Sequence, residues 1–189
     1  MNMDFTKLPD NLPRPTDDGS CDHLLGMSIP STVFLSTKGN SLDVCNIDAD
    51  FVIFYLFPMI GIPGRNQPLE WDDIPGARGC TPQNIAIDEH MEDLLKYDAI
   101  PVGISTQPID ELSKISLIRN FSQIILSDSD LKLQQNLNVP TFQFENNTMY
   151  KRLTLILKKS KIIKVFYPIF PPDKHIFEIL KWLENNSVK

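Results

Sequence analysis

The chain predicts an α/β protein, a central mixed sheet flanked by helices on both faces. Three observations carry that expectation. The run Phe51–Phe57 (FVIFYLF) is apolar at every position, as strands covered on both faces are. After it, short apolar runs alternate with segments of helical periodicity, the pattern of a helix-covered sheet. With 189 residues, 42% hydrophobic and 22% charged, the chain has the composition and length to bury a single core without a disulfide framework. The expected organisation is an irregular N-terminal arm over residues 1–30 and one domain over residues 31–189.

The arm carries Pro9, Pro13, Pro15 and Pro30, the turn-forming Asp17-Asp18-Gly19, and little periodicity. Thr32–Ser36 and Leu42–Asn46 flank the Gly-containing turn 37–40 and read as a hairpin. The buried strand 51–57 follows. Residues 58–79 hold Pro58, Pro63, Pro68 and Pro75 with four glycines, a long loop of the kind that is usually functional or disordered. Beyond Cys80, Ile87, Met91, Leu94 and Leu95 fall at helical spacing, predicting one helix to about Tyr97. Strand 101–105, helix 109–120, strand 123–126, a short helix 130–136 and strand 141–144 come next. Leu153–Leu157 and Ile162–Phe166 form a second hairpin. A last helix opens at Pro171-Pro172-Asp173, with Asp173 as N-cap.

Charge and targeting signals exclude several classes. The net charge is −6 and no long basic run exists, so a nucleic-acid partner is not expected. The longest apolar stretch, residues 51–63 with Pro58 inside it, is too short to cross a bilayer, so no membrane is expected. The first ten residues, MNMDFTKLPD, lack the apolar core of a secretory signal. Three cysteines, Cys21, Cys45 and Cys80, are odd in number and form no CxxC pair, which fits free thiols in a reducing, cytoplasmic setting.

The residue best placed for chemistry is Cys80. Gly79 before it permits a tight turn, and Thr81-Pro82 after it reads as N-cap and first helical residue. A sulfur at the mouth of a helix faces unpaired N–H groups and the positive end of the dipole, which favour thiolate, the nucleophilic form. The preceding strand ends at Pro58, so the loop returns Cys80 to the carboxyl edge of the sheet, where active sites of such folds gather. A small buried cysteine would read the same way locally. Other residues carry weaker signals. Cys21 and His23 are too few ligands for a zinc site. His90 and His175 sit on helices among solvated residues. Lys151, Lys158, Lys159, Lys161 and Lys164 read as charges that blunt an edge strand. Trp71 and Trp182 read as packing anchors.

Several segments resemble the peroxiredoxin family: YLFP at 55–58, PGARGCTPQ at 75–83, LSD at 126–128 and RLTL at 152–155. They are most similar to its AhpC/TSA-type, bacterioferritin-comigratory-protein-like members, and to a group with a long loop before the GCTPQ motif. The segments DDGSCDHL at 17–24 and VFYPIFPP at 165–172 also look like that group. The resemblance implies a thioredoxin-like fold and thiol-dependent reduction of hydrogen peroxide or organic hydroperoxides through a cysteine sulfenic acid. It implies Cys80 as peroxidatic cysteine, Arg152 as the guanidinium beside thiolate and peroxide, and Pro58 as the residue that shields the pocket. No metal or organic cofactor is implied. The implied partners are the peroxide and a thiol reductant such as a thioredoxin-like protein or glutathione, with the protein a monomer or homodimer.

The chain departs from the family pattern in three ways, the least specific being the helix segment NIAID at 84–88, which is less like its relatives than the loop before it. The hydroxyl residue expected three positions before the cysteine is Ala77; counted forward from Pro58 it is Ile60. Thr81 is the hydroxyl left nearby to take its place. The resolving cysteine found in many relatives five residues after the first is Ile85 here. Resolution then falls to Cys21, Cys45, another subunit or an external thiol. Cys45 sits at an alternating strand position that suits the core, which leaves Cys21, in the arm, as the better internal candidate. These departures also allow a second reading, a catalytically weakened thioredoxin-fold protein that serves as a redox sensor or binding module.

Overall fold

The computed structural model describes residues 6–65 and 68–187. The first five residues of the expected arm, residues 66–67 of the loop and the last two of the domain lie outside the described residues.

A seven-stranded mixed sheet forms the centre, in the order β2-β1-β5-β4-β3-β8-β9. The first hairpin is β1 (Val33–Ser36) and β2 (Ser41–Asp43). β3 (Phe51–Leu56), β4 (Ala99–Ser105) and β5 (Ile124–Ser127) run parallel at the middle. β8 (Leu153–Lys158) pairs antiparallel with β3, and β9 (Lys161–Phe166) closes that side. The side chains of β3 alternate between two cores. Val52, Phe54 and Leu56 join one, and Phe51, Ile53 and Tyr55 join the other. That two-sided burial explains the uninterrupted apolar run.

Helices cover both faces unequally. One face carries α1 (Cys80–Glu89), α2 (Met91–Leu95), α3 (Ile109–Arg119) and α5 (His175–Asn186), whose Ile87, Leu94, Leu112, Ile115, Ile176 and Leu183 share a core. The other carries α4 (Lys132–Leu137) and the N-terminal segment through Leu24 and Ile29. Residues 26–29 lie along the edge of β9, with Gly26 N–H donating to Ile162 O, Ile162 N–H to Met27 O and Ile29 N–H to Ser160 O. The arm therefore covers a strand edge that would otherwise present unpaired backbone groups.

Four local expectations are corrected. The single helix to Tyr97 is two helices, broken at His90, whose ring bonds Ala86 O at 2.9 Å and whose N–H turns to Ile87 O. The cap of α1 is Gly79 in the left-handed region, not Thr81, so Cys80 is itself the first helical residue. α5 is capped at Lys174 rather than Asp173, because residues 172–174 form a turn first. The strand β6 (Thr141–Phe144) has an unforeseen partner, β7 (Asn147–Tyr150), in a small separate hairpin. That hairpin has a purpose in the packing. Trp71, in a 3-10 helix over Leu69–Asp73, is fully buried against Phe142 and Phe144 and anchors the long loop there.

Candidate active site

Three stretches converge at the carboxyl end of β3. The chain leaves the strand through Phe57-Pro58-Met59. Gly79 then turns it into α1 with φ +106°, a value that L residues seldom adopt. A Cβ at that position would also lie 2.3 Å from Pro172 Cγ and 2.9 Å from Leu8 Cδ2. Arg152 enters from the short link between β7 and β8.

Cys80 is 2% exposed and its sulfur accepts two donors. Arg152 Nη2 lies 3.2 Å away and the Met59 N–H donates at 3.3 Å. As a thiol, the same sulfur faces Ala77 O at 3.6 Å. Arg152, 4% exposed, is held by the loop. Its Nε donates to Gly76 O at 3.3 Å and its Nη2 to Ala77 O at 3.1 Å and Arg78 O at 3.3 Å. Its Nη1 donates to the Gln83 side-chain oxygen. Among the described residues Arg152 forms no ion pair with a carboxylate. The sulfur is thus the one partner that can offset the buried guanidinium with a negative charge when it ionises, and the guanidinium fork can serve sulfur and carbonyls together.

A cavity of about 260 Å³ opens beside this pair. Pro58, Gly76 and Arg152 line it, with Phe142 and Ile169 giving it an apolar side. Arg152 therefore both borders the cavity and touches the sulfur. Asp18 stands at the cavity with its carboxylate 2.6 Å from Lys151 Nζ, and the Tyr167 hydroxyl donates to it at 2.9 Å. These bonds hold the Asp18 carboxyl well below the usual carboxylate range. Lys151, read as an edge-strand charge, is the arm's anchor.

The structure brings Cys80, Arg152 and Pro58 together and leaves two other candidates apart. The Thr81 hydroxyl makes no hydrogen bond to the sulfur; the donors there are Met59 and Arg152. Cys21 is buried in the core cluster on the other face of the sheet from Cys80. Burial, with the charges of Asp18 and Asp17 adding to it, pushes its thiol up to about 12. The arm is packed here, not loose, and that removes Cys21 from reach of Cys80. All three cysteines are free. His23 Nε2 bonds Leu137 O at 2.8 Å. His175, read as a solvated helix residue, is instead buried behind the site between Thr154 Oγ1 at 3.0 Å and Glu178 at 2.8 Å. Desolvation lowers its pKa.

Several site groups escaped the sequence reading. Gln83 sits one turn along α1 from Cys80, an i, i+3 relation that could have flagged it. Beneath α1, Asn84 Nδ2 donates to Cys80 O at 2.9 Å while its Oδ1 accepts from the Tyr55 hydroxyl at 3.0 Å. Gln123 Nε2 donates to Asn84 O at 3.0 Å. The Met59 N–H carries no side-chain signal at all.

An α/β sheet of this topology, with a buried cysteine at a helix start held against an arginine, defines a redox-thiol protein of the thioredoxin-like fold. No family model matches the chain. It is 27% identical over 161 residues to the chloroplastic peroxiredoxin Q of Populus jackii, covering 85% of this chain and 68% of that one. Its fold matches the peroxidoxin BcpB of Mycobacterium tuberculosis with a TM-score of 0.70 at 20% identity, covering 87% of this chain and 98% of that one. It also matches a bacterioferritin comigratory protein of Xanthomonas campestris, studied for alkyl peroxide reduction, with a TM-score of 0.64 at 13% identity over 94% of this chain and all of that one. These similarities support a bacterioferritin-comigratory-protein-like peroxiredoxin family for the chain.

Proposed function

We propose that this protein is a thiol-dependent peroxidase whose working sulfur is that of Cys80. The observation that carries the assignment is the 3.2 Å contact between that sulfur and the Arg152 guanidinium. The thiolate attacks one peroxide oxygen. A sulfur–oxygen bond forms as the oxygen–oxygen bond breaks. The sulfur is oxidised to sulfenic acid, and the departing oxygen takes up a proton and leaves as water or an alcohol. Arg152 and the Met59 N–H hold the ionised sulfur in line for attack, and Arg152, which also borders the cavity, has donors that can follow the charge onto the departing oxygen. Pro58 walls the cavity and keeps bulk water from the sulfur. Sulfenic acid is the reversible rung of cysteine oxidation. An incoming thiol displaces water from it, forming a mixed disulfide, and a second thiol returns Cys80 to its starting state.

The substrate class is hydrogen peroxide or organic hydroperoxides; the apolar side of the cavity at Phe142 and Ile169 suits the latter. With Ile85 where a resolving cysteine would stand and Cys21 across the sheet, both thiols come from outside the chain, from a thioredoxin-like protein or a small thiol such as glutathione. Three free cysteines fit a reducing compartment, and we place the protein in the cytoplasm as a monomer or homodimer.

The test is stopped-flow oxidation of the reduced protein, with mass spectrometry after one equivalent of peroxide. We expect sulfenic acid at Cys80, no Cys80–Cys21 disulfide, and no oxidation in Cys80→Ser. A Cys80→Ser variant that consumes peroxide like the parent overturns the assignment. The second reading, a redox sensor or binding module, has two observations in its favour, the absence of a hydroxyl at both Ala77 and Ile60 and Ile85 where a resolving cysteine would stand. A parent that peroxide leaves unoxidised would select it.

A further inference from the structure

We propose that Gln107, with Ser105, is a positioning residue of this site: it clamps the backbone beside Pro58 so that the Met59 N–H stays aimed at the Cys80 sulfur. The inference rests on the functional reading above and adds residues to its machinery.

Residues 58–60 form an irregular link after β3, with nothing in the link itself to fix the direction of its amides. Gln107, beyond the end of β4, supplies that constraint through an edge of complementary polarity. Its Oε1 accepts the Ile60 N–H at 2.8 Å and its Nε2 donates to Ile60 O at 3.2 Å. One side-chain amide thus satisfies both main-chain groups of one residue, as a neighbouring strand would. Ser105 secures the preceding residue, its hydroxyl donating to Pro58 O at 3.0 Å and accepting the Gln107 N–H at 3.2 Å. The Ser127 hydroxyl donates to Gln107 O at 2.6 Å and fixes the clamp's own backbone. Ser105 and Gln107 are both buried. Met59, between the two gripped residues, has its N–H directed to the sulfur at 3.3 Å. The side chain of Ile60 is wholly buried in the core and offers no donor. Neither Ile60 nor Ala77 has a hydroxyl, the sulfur takes a main-chain donor from Met59, and a main-chain donor needs a fixed backbone.

Two rates measured on the same reduced protein test this: oxidation of Cys80 by hydrogen peroxide and alkylation of Cys80 by iodoacetamide. Alkylation needs an accessible ionised sulfur but no aligned oxygen–oxygen bond. Gln107→Met removes both clamp bonds at similar length. The peroxide rate should fall about 10- to 100-fold, the scale of a misplaced reacting group, and the ratio of peroxide to alkylation rate should fall with it. General destabilisation would move both rates together. Gln107→Glu gives a pH signature. Ionised, it offers Ile60 O no donor; protonated, it restores both bonds. Glu111, 3.4 Å from Gln107 Nε2, and Arg65 and Glu145 in the adjoining cavity are the charged groups around it. Its peroxide rate relative to the parent should rise toward one as pH falls. Ser105→Ala should show a smaller loss of the same kind. If the parent reacts and Gln107→Met and Ser105→Ala react as fast with unchanged ratios, the clamp is overturned alone. If peroxide leaves the parent unoxidised, the functional reading falls and the clamp with it.

Discussion

Replacing Arg152 with Met tests the site most directly. The substitution removes five hydrogen bonds, one to the Cys80 sulfur and four to Gly76 O, Ala77 O, Arg78 O and the Gln83 side chain. The first bears on rate. Loss of one preorganised donor to developing charge costs about 100- to 1,000-fold, and the peroxide rate constant should drop by that amount. The other four bear on stability. A buried acceptor left dry costs about 1–3 kcal/mol. Gly76 lines the open cavity, where water can replace the guanidinium, and removing a buried charge that lacks a carboxylate recovers some desolvation cost. A net loss of about 2–4 kcal/mol is reasonable, which lowers the melting temperature by roughly 5–15 °C in a chain of this size. Arg152→Lys keeps the charge but not the fork, and one ammonium cannot span sulfur and three carbonyls. It should retain more stability than Met and still lose most of the rate. The assay is stopped-flow oxidation under excess peroxide at a temperature where circular dichroism shows each variant folded. A folded Arg152→Met that reacts within a factor of about two of the parent, against the expected loss of at least 100-fold, refutes the reasoning.

Two further substitutions probe the scaffold. Gly79→Ala places a Cβ 2.3 Å from Pro172 and forces a left-handed alanine, so it should cost about 2–4 kcal/mol by thermal melting and slow Cys80 oxidation, because the residue it displaces is the cysteine's neighbour. His175 has a folded pKa below its ordinary value through desolvation, so the unfolded chain binds its proton first on acidification. Its stabilising effect is complete above about pH 6.5 and is lost as pH falls below that value, at up to about 1.4 kcal/mol per pH unit. The melting temperature should therefore decline more steeply between pH 7 and 5 in the parent than in His175→Gln. Equal slopes would remove His175 from the account.

Local signals in the sequence carried the strands, because period and turn chemistry act between near neighbours. FVIFYLF marked a strand covered on both faces, the Gly-containing turn at 37–40 marked a hairpin, and Gly79-Cys80 marked a helix start. Where competing local bonds decide the outcome, apolar spacing alone does not show it. The His90 ring takes Ala86 O and breaks a helix whose apolar spacing runs on without interruption. β7 is short and weakly alternating and does not announce itself; its Met149 joins Phe142 and Phe144 of β6 in the cluster around Trp71.

By itself the sequence determined the α/β class, the position of Cys80 at the head of a helix, and, through family resemblance, the residues to watch at Pro58 and Arg152. Only the tertiary structure decided which groups touch. Cys80 and Arg152 meet across 72 positions, and Gln107 grips Ile60 across 47, while Cys21 is held on the far side of the sheet. Hydrophobic patterning records which face of an element is buried. It does not record which polar groups the burial brings within 3 Å of each other, because that distance is set by how whole elements pack.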